Sequence, residues 1–510
     1  MHSIEALEPK LMDPFTIFSL ISYSIIFLTV TISFWGLLNF TTSKNLPPGP
    51  PKLPILGNIH QLKGAAPHRV LRTLARKYGP IMYLQLGQVP TVVISTPRLA
   101  QEILKTNDAV FADRPTTIAS QILFYKAQDI AWAPYGNYWR EMRKICTLEL
   151  LSVKRVRSYN FIRDEEVARM CRCLESSAGR PVMLRDILVQ MVNDVICRAT
   201  VGDVCKDRST LIDVLFDIMR AVVAFNMTSY YPSLQFFNVI SGKKAKWLKR
   251  QKQLDDILED ILDEHRNNRS SGAHDQEDLV DVLLRIKENG DLDQPITYDN
   301  VKGIILDMII GGTSTSSMTL EWAMAELMRK PEIMKKVQAE VRLVAKGDTI
   351  VEDDIQNMHY MKMVVKETFR LHGPPILVPR VSREPCTVDG FYIPLKTRIL
   401  VNAWACGTDP DSWEDADSFV PERFETSSIN YLGSDFQLLP FGGGRRICPG
   451  ISFGVGIIEN ALANLLFHFD WELPNGLKPH ELDLTEATVL SNLPKHPLEV
   501  VPVAMQSLQK

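Results

Sequence analysis

The sequence has no cysteine pattern, no excess of charge of either sign and no internal repeat. Its eight cysteines, at positions 146, 171, 173, 197, 205, 386, 406 and 448, are scattered without paired spacing. That excludes a disulfide framework and points to a reducing compartment. The one close pair, Cys171 and Cys173, has no neighbouring Cys or His to complete a zinc site. With 57 basic and 60 acidic residues the net charge is −3, so the chain has no general attraction for nucleic acid and any partner is recognised locally. The absence of a fixed period excludes a repeat array. What remains is length and apolar content: 510 residues at 45% hydrophobic composition, ample for a sizeable core.

Charge is also missing from one long run. Between Pro14 and Ser43 there is no charged residue, and Phe15 to Leu38 is mostly Ile, Leu, Phe, Val and Ser/Thr. At about 1.5 Å per residue this is long enough to cross a bilayer. Asp13 precedes the run, and Lys44, Lys52, Lys63, Arg69 and Arg72 follow it, which keeps the bulk of the chain cytosolic by the positive-inside rule. A cleaved signal peptide would have a shorter apolar region, of about 7–15 residues, and a small-residue cleavage site. Here the run leads straight into LPPGPPKLPILGN, a stiff, extended connector that cannot continue a helix. The expected organisation is an N-terminal segment over residues 1–43 with a transmembrane anchor at about 15–38, a proline-rich hinge over 44–58 and one cytosolic domain over 59–510.

Within that domain, YGPIMYLQLGQVPTVVIST (Tyr78 to Thr96) carries short β-rich runs broken at Gly87 and Pro90, the pattern of a small sheet. Helical periodicity dominates afterwards, at Tyr138 to Leu151, Lys246 to His265, Asp278 to Glu288 and Pro331 to Ala345. Arg266 to Asp278 reads as a polar loop, and strand-like runs return at Cys386 to Trp404. The fold class is mainly α with small β-sheets, ending in a long irregular, Pro- and Gly-rich segment of the kind that is commonly functional.

That segment contains PFGGGRRICPG, Pro440 to Gly450. Three glycines let the backbone turn tightly under a bulky flat group, two arginines offer charge to anions, and a cysteine thiolate stays ionised when a metal binds it. A buried cysteine beside a glycine turn is the bland alternative. A phosphate loop is the other rival, but the Gly-Lys-Ser/Thr ending is missing. The pattern Phe-x-x-Gly-x-Arg-x-Cys-x-Gly is met at all its fixed positions by Phe441, Gly444, Arg446, Cys448 and Gly450. On it the chain resembles the cytochrome P450 family, the membrane-bound haem-thiolate monooxygenases of eukaryotes, and most of all the A-type microsomal enzymes of plants.

The resemblance implies the cytochrome P450 fold, haem b as cofactor, Cys448 as the iron's thiolate ligand and Arg446 at a haem propionate. It extends to KETFR and PERF, where Glu367, Arg370 and Arg423 match the family's Glu-Arg-Arg triad; the spacing alone means little, since EVAR at Glu166 to Arg169 shares it. In WREMR, Trp139 and Arg143 match the family's propionate pair, and Arg380 in VPR is a further propionate partner.

The family's long helix across the haem carries Ala/Gly-Gly-x-Asp/Glu-Thr-Thr/Ser. It is matched by GGTSTSS, Gly311 to Ser317, with Gly311 and Gly312 opening space for oxygen, Thr315 as the alcohol and a local break in the helix to hold water. Where the family has an acid there is Ser314, whose hydroxyl relays a proton but is no charged reservoir. Asp307 and Glu321 lie seven residues away on either side, about 10 Å along the axis. Three readings stay open: Thr315, water and a substrate hydroxyl suffice without the acid; oxygen activation is slower or leakier; or the product forms by an unusual route. A second departure, LHGPPILVPR, is one residue shorter than the family's stretch beside the pocket, so substrate identity does not transfer.

By resemblance the pocket draws on Phe124, Phe225, Met227, Gly311, Ile376, Leu377 and Val489. Its apolar lining suits a small lipophilic substrate, a terpenoid first, an alkaloid or phenylpropanoid second. The chain has no flavin module, so electrons are expected from NADPH through cytochrome P450 reductase at the endoplasmic reticulum membrane. That partner would dock on a basic face at Arg140, Lys144, Lys154, Arg155 and Arg157. The rivals are a haem-thiolate isomerase or lyase that needs neither reductase nor oxygen, and a haem sensor without turnover.

Overall fold

A computed structural model describes residues 45–505 except 63–65, 203–207, 224–226, 272–276, 291–294, 348–349 and 488–491, together with 16, 18–19, 22–27 and 29–30. Of the expected anchor, the described residues are helical and expose Phe18, Tyr23, Ile25, Ile26, Phe27 and Val30. Ser22 and Thr29 return their hydroxyls to the carbonyls of Phe18 and Ile25, so these two are satisfied within the helix. The remainder of the anchor lies outside the described residues.

One helix organises the domain. Tyr298–Arg329 starts where the Thr297 hydroxyl accepts from Asn300 N while Asn300 Oδ1 accepts from Thr297 N at 2.8 Å. This reciprocal cap satisfies amides that a helix start leaves open. The helix is apolar nearly all round and is buried accordingly, packed between the helices Leu184–Val201 and Ile451–His468. Ile451–His468 is long and apolar enough to span a bilayer, yet it is mostly buried, as a core helix following Cys448.

A four-stranded sheet lies to one side, in the order Ile81–Leu86, Val89–Ile94, Arg398–Val401, Val378–Val381. The first pair is an antiparallel hairpin through Gly87; the middle pair is parallel, with Val92 opposite Ile399. Pro90 does not break its strand as expected. It sits opposite Gln85, just before the stretch Thr91–Ile94 that bonds to Arg398–Val401, where its missing N–H costs no ladder bond on that side. The proline-rich stretch expected as a hinge packs along the outer strand: Tyr83 N donates to Pro48 O at 2.8 Å, Asn58 N donates to Gln85 O, and Asn58 Nδ2 donates to Pro50 O. A Cβ on Gly49 would fall 2.0 Å from Tyr83 O, so glycine is required for this approach. The sheet edge is thereby covered.

Two smaller sheets, one of three strands and one of two, complete the domain. The helix Lys243–Ser271 runs through much of the stretch expected as a polar loop from Arg266. Arg266 and Arg269 are held there by ion pairs to Asp263 and Glu288, so a polar sequence stays helical through its side-chain pairs.

The C-terminal segment is clamped to the helix Pro67–Tyr78 by Glu486, which takes a bidentate pair from Arg69 and lies 2.9 Å from His68 Nε2. Burial would raise this carboxyl, but the hydrogen bonds from His68 and Arg69 outweigh it and hold it down at about 2. A depressed carboxylate stabilises the fold above the ordinary carboxylate range and loses that contribution as the pH falls through its folded value. Glu486→Gln is therefore expected to cost about 1–2 kcal/mol at neutral pH. Denaturant titration checks this, and the difference from the native chain should vanish in strong acid.

Candidate active site

The cysteine loop is shaped by its own backbone. Cys448 N donates to Phe441 O at 3.0 Å, closing the turn, and Gly444 holds φ +69° with its Cα so close to Leu104 O that a Cβ would stand 1.9 Å from it. Only glycine fits there. Phe441 packs edge-on against Phe369 and Tyr431 at the base of the loop. Burial pushes the Cys448 thiol up, while the Gly450 N–H and the Arg143 guanidinium oppose that by favouring the thiolate.

Beside the loop the chain gathers buried positive charge. Arg446 is stacked over Trp139 at 4.2 Å and donates to the carbonyls of Ala112, Ile130 and Ala133. Arg380 is 1% exposed; it donates to Pro379 O and Gly443 O, and its Nε has no acceptor. Arg114 donates to the same Pro379 O and likewise has a buried, unpartnered Nε. Among the described residues none of Arg114, Arg143, Arg380 and Arg446 has a carboxylate within ion-pair distance. Burial holds Arg114 down to about 10, burial and the charge of Arg114 hold Arg446 down to about 9, and burial with Arg114 and Arg446 lowers Arg380 strongly.

Buried guanidinium groups with spare donors and no counter-charge call for an anionic ligand. A flat iron macrocycle with two carboxylates, seated against Cys448, fits this donor set. Arg114 is a residue that sequence reasoning missed: in FADRP it stands far from the cysteine, and a lone loop arginine reads as solvated.

Glu367, Arg370 and Arg423 come together. Arg370 binds Glu367 through two bonds of 2.7 Å, and Arg423 Nε reaches Glu367 Oε1 at 3.0 Å. Arg370 further ties down the carbonyls of Gly407, Ala416 and Ser418. Glu166 and Arg169 do pair, at 2.9 Å, but on a face where Arg169 is more than half exposed.

The stretch Gly311–Ser317 corrects an expectation. The helix is unbroken through it, because the hydroxyls bond back one turn: Ser314 to Ile310 O at 3.1 Å, Thr315 to Gly311 O at 2.6 Å and Ser317 to Thr313 O at 2.8 Å. The two glycines also differ. A Cβ at Gly311 would have no heavy atom within 4 Å, whereas one at Gly312 would fall 2.5 Å from Ile196 Cδ1. Gly311 faces open space, and Gly312 lets the helix Leu184–Val201 approach closely. Ser314 is half-buried and the Thr315 hydroxyl is exposed.

Asp307 turns away from this stretch to a loop. Its Oδ2 accepts from Ile130 N at 2.8 Å and from Ala131 N at 3.3 Å. Glu321 is held by Arg185 and by Leu498 N. Neither stands in for the missing acid.

Of the residues expected at the pocket, Phe124 and Ile376 are buried, Leu377 is half-buried and Met227 is 58% exposed; Phe225 and Val489 lie outside the described residues. Phe124 packs against Trp132 at 6.1 Å between ring centres. Of the basic face, Arg140, Lys144, Lys154 and Arg157 are exposed and Arg155 is paired with Glu277.

Residues 47–499 match the cytochrome P450 family. The chain is 64% identical over 500 residues to a costunolide synthase of Cichorium intybus, covering 98% of this chain and 100% of that one. It is 60% identical to a germacrene A acid 8-beta-hydroxylase of Inula hupehensis over the same shares, and 48% identical to a premnaspirodiene oxygenase of Hyoscyamus muticus over 96% and 99%. Among solved structures, a zebrafish cytochrome P450 with abiraterone superposes with a TM-score of 0.74 at 25% identity, covering 87% of this chain and 100% of that one.

Proposed function

From the premise that this chain belongs to the cytochrome P450 family and is a monooxygenase of that type, we propose that it oxidises a terpenoid acid. Germacrene A acid, named in two of its relatives, is the substrate to try first. The observation that carries the reaction class is the Cys448 turn set against the unneutralised arginines. The substrate class rests on relatives at 60–65% identity over nearly the whole chain.

In this reading Cys448 is the iron's ligand, and Trp139, Arg143, Arg380, Arg446 and the newly found Arg114 hold the propionates. Haem, when bound, supplies the iron at which dioxygen is activated. Glu367, Arg370 and Arg423 hold the chain beneath the cysteine loop. Phe124, Ile376, Leu377 and Gly311 wall the substrate side, with Met227, Phe225 and Val489 assigned there by resemblance. Electrons come from NADPH through cytochrome P450 reductase on the face of Arg140, Lys144, Lys154 and Arg157. The anchor at about 15–38 and the hinge over 44–58 hold the catalytic domain over 59–510 on the cytosolic side of the endoplasmic reticulum. One oxygen atom enters the substrate and the other leaves as water, with NADPH supplying the two electrons.

Proton delivery rests on Thr315 and Ser314. Each hydroxyl is parked on a backbone carbonyl one turn back. A hydroxyl that rotates off its carbonyl still has a lone pair to accept with and a proton to donate, so the two pass protons without a carboxylate. Ser314→Asp is accordingly expected to change turnover by less than about tenfold, well below the ~10²-fold that general-acid catalysis contributes, whereas Thr315→Ala should divert NADPH consumption away from product. Both are read as product formed per NADPH consumed. A redirected product from Ser314→Asp would assign the serine to product choice.

The function itself is tested with membranes containing this chain and reductase, supplied with germacrene A acid with and without NADPH. An oxygenated product that requires NADPH supports the reading. Product without NADPH would support a rearranging enzyme instead.

A further inference from the structure

The loop from Gln128 to Ala133 is gripped from two sides. Its carbonyls face the propionate end: Trp139 Nε1 donates to Ile130 O at 2.9 Å, Arg446 Nη1 donates to the same oxygen at 3.1 Å, and Arg446 Nη2 donates to Ala133 O. Its amides face the long helix, where Asp307 collects the N–H groups of Ile130 and Ala131. Trp132 of this loop also backs Phe124. A few residues thus link the arginine group, the long helix and the pocket wall.

Asp129 lies in the same loop and is fully buried against the long helix. It lies against Gly303, one turn before Asp307, where a Cβ would stand in ordinary contact at 3.5 Å from Asp129 Cβ. Asp129 Oδ1 accepts from Trp132 N at 3.0 Å. Its Oδ2 is buried with no donor among the described residues. Asp307, itself half-buried, lies beside it, with Oδ2 2.8 Å from Ile130 N, the amide that follows Asp129, and no cation pairs with either carboxyl at ion-pair distance among the described residues.

Adjacent carboxylates, one of them fully buried, cannot both be ionised cheaply. Burial pushes both carboxyls up, Asp307 to about 7, and the charge of Asp307 raises Asp129 further. The hydrogen bonds assign the forms. Asp307, with two N–H donors on one oxygen, is the carboxylate; Asp129, with an oxygen that nothing donates to, is the acid.

The other groups facing the pair do not supply the missing proton. Tyr138 spends its hydroxyl on Gln128 O and accepts from Asn300 Nδ2, and burial with the two aspartates raises its phenol. Burial and Asp307 raise the Cys146 thiol to about 12. Arg114 and Arg446 act on Asp129 only at longer range.

We propose that Asp129 and Asp307 share a single proton, donated by Asp129 to Asp307, and that this hydrogen bond positions the Gln128–Ala133 loop between Arg446 and the long helix. They are positioning residues for the pocket wall, and neither touches the reacting atoms. The proposal does not depend on which substrate is oxidised.

Infrared spectroscopy of the haem-loaded enzyme tests the proton directly. The difference spectrum between the native chain and Asp129→Asn at neutral pH is expected to show a protonated-carboxyl band that shifts in heavy water. Asp307→Asn should remove the same band, because Asp129 can then ionise against the new amide. No such band in the native chain would overturn the proposal.

Amide hydrogen exchange at Ile130 and Ala131 tests the positioning. Asp129→Asn preserves a donor to the Asp307 carboxylate and leaves that charged acceptor in place, so protection should be kept. Asp129→Ala or Asp307→Ala should lose it by about ten- to a hundredfold, the worth of one hydrogen bond to a charged group. Asp129→Asn as unprotected as Asp129→Ala, or Asp129→Ala as protected as the native chain, would overturn the proposal. Should an alanine variant fail to show the haem-thiolate carbon monoxide spectrum, the asparagine variants and the infrared band decide.

Discussion

Cys448→Ser is expected to abolish NADPH-dependent oxidation while leaving a folded chain. The loop that carries the residue is set by Gly444 against Leu104 O and by the bond from Cys448 N to Phe441 O, neither of which involves the sulfur. Serine therefore keeps the turn. What it loses is the thiolate proposed as the iron's ligand: an aliphatic hydroxyl does not ionise where a thiol does, even with the Gly450 N–H and Arg143 beside it. Without thiolate donation the push that favours O–O cleavage is gone. The check is twofold, product formation and the carbon monoxide difference spectrum of the reduced protein. Retained turnover in Cys448→Ser would mean that another group holds the iron.

Glu367→Gln is expected to cost about 3–5 kcal/mol of stability, the range for breaking a buried ion pair from one side. That is a large fraction of the roughly 5–15 kcal/mol that holds a domain folded. Glu367 is fully buried and its Oε1 accepts from Arg370, Arg423 and Val420 N together. Glutamine keeps the shape but supplies one acceptor and no charge, so Arg370, itself 2% exposed, is left cationic without compensation. The loss should appear as a lower denaturation midpoint and a poor yield of haem-loaded protein. Arg169→Ala, which removes one of two arginine partners of the buried Glu166, is expected to cost under about 1 kcal/mol, because its guanidinium is mostly in water and Arg198 still binds Glu166 at 2.7 Å. Equal losses from the two variants would contradict the account.

That contrast also marks what the sequence could disclose. The two acid-base pairs are alike in spacing, and only the company of PERF and of the cysteine loop distinguished them. Both glutamates are buried; what separates the pairs physically is the arginine, buried in Arg370 and mostly exposed in Arg169, and burial is a property of the packed chain. The cysteine loop was legible because its chemistry is local: glycines, arginines and the thiol lie within a single turn. The shared helix of Trp139 and Arg143, Asn137–Ile145, was legible for a similar reason, from their spacing alone.

Arg114, Asp129 and Asp307 were not, since each acquires its partner across the fold; Asp307 reaches Ile130 over 177 residues of chain. The unbroken helix at Gly311–Ser317 was missed because propensity counts Ser and Thr as competitors for the backbone, whereas inside a helix the same hydroxyls can bond one turn back without opening it. Arg266 to Ser271 was misread in the same direction, its ion pairs with Asp263 and Glu288 being invisible in a composition-based reading.

The central claim is that this chain inserts an atom of dioxygen into a terpenoid at an iron held by Cys448. It is tested most directly by supplying isotopically labelled dioxygen to membranes containing the chain and its reductase, with germacrene A acid and NADPH, and measuring label in the product by mass spectrometry. The account predicts label in the product of the native chain and no labelled product from Cys448→Ser. A product that forms without label would contradict it and assign the chain to rearrangement chemistry.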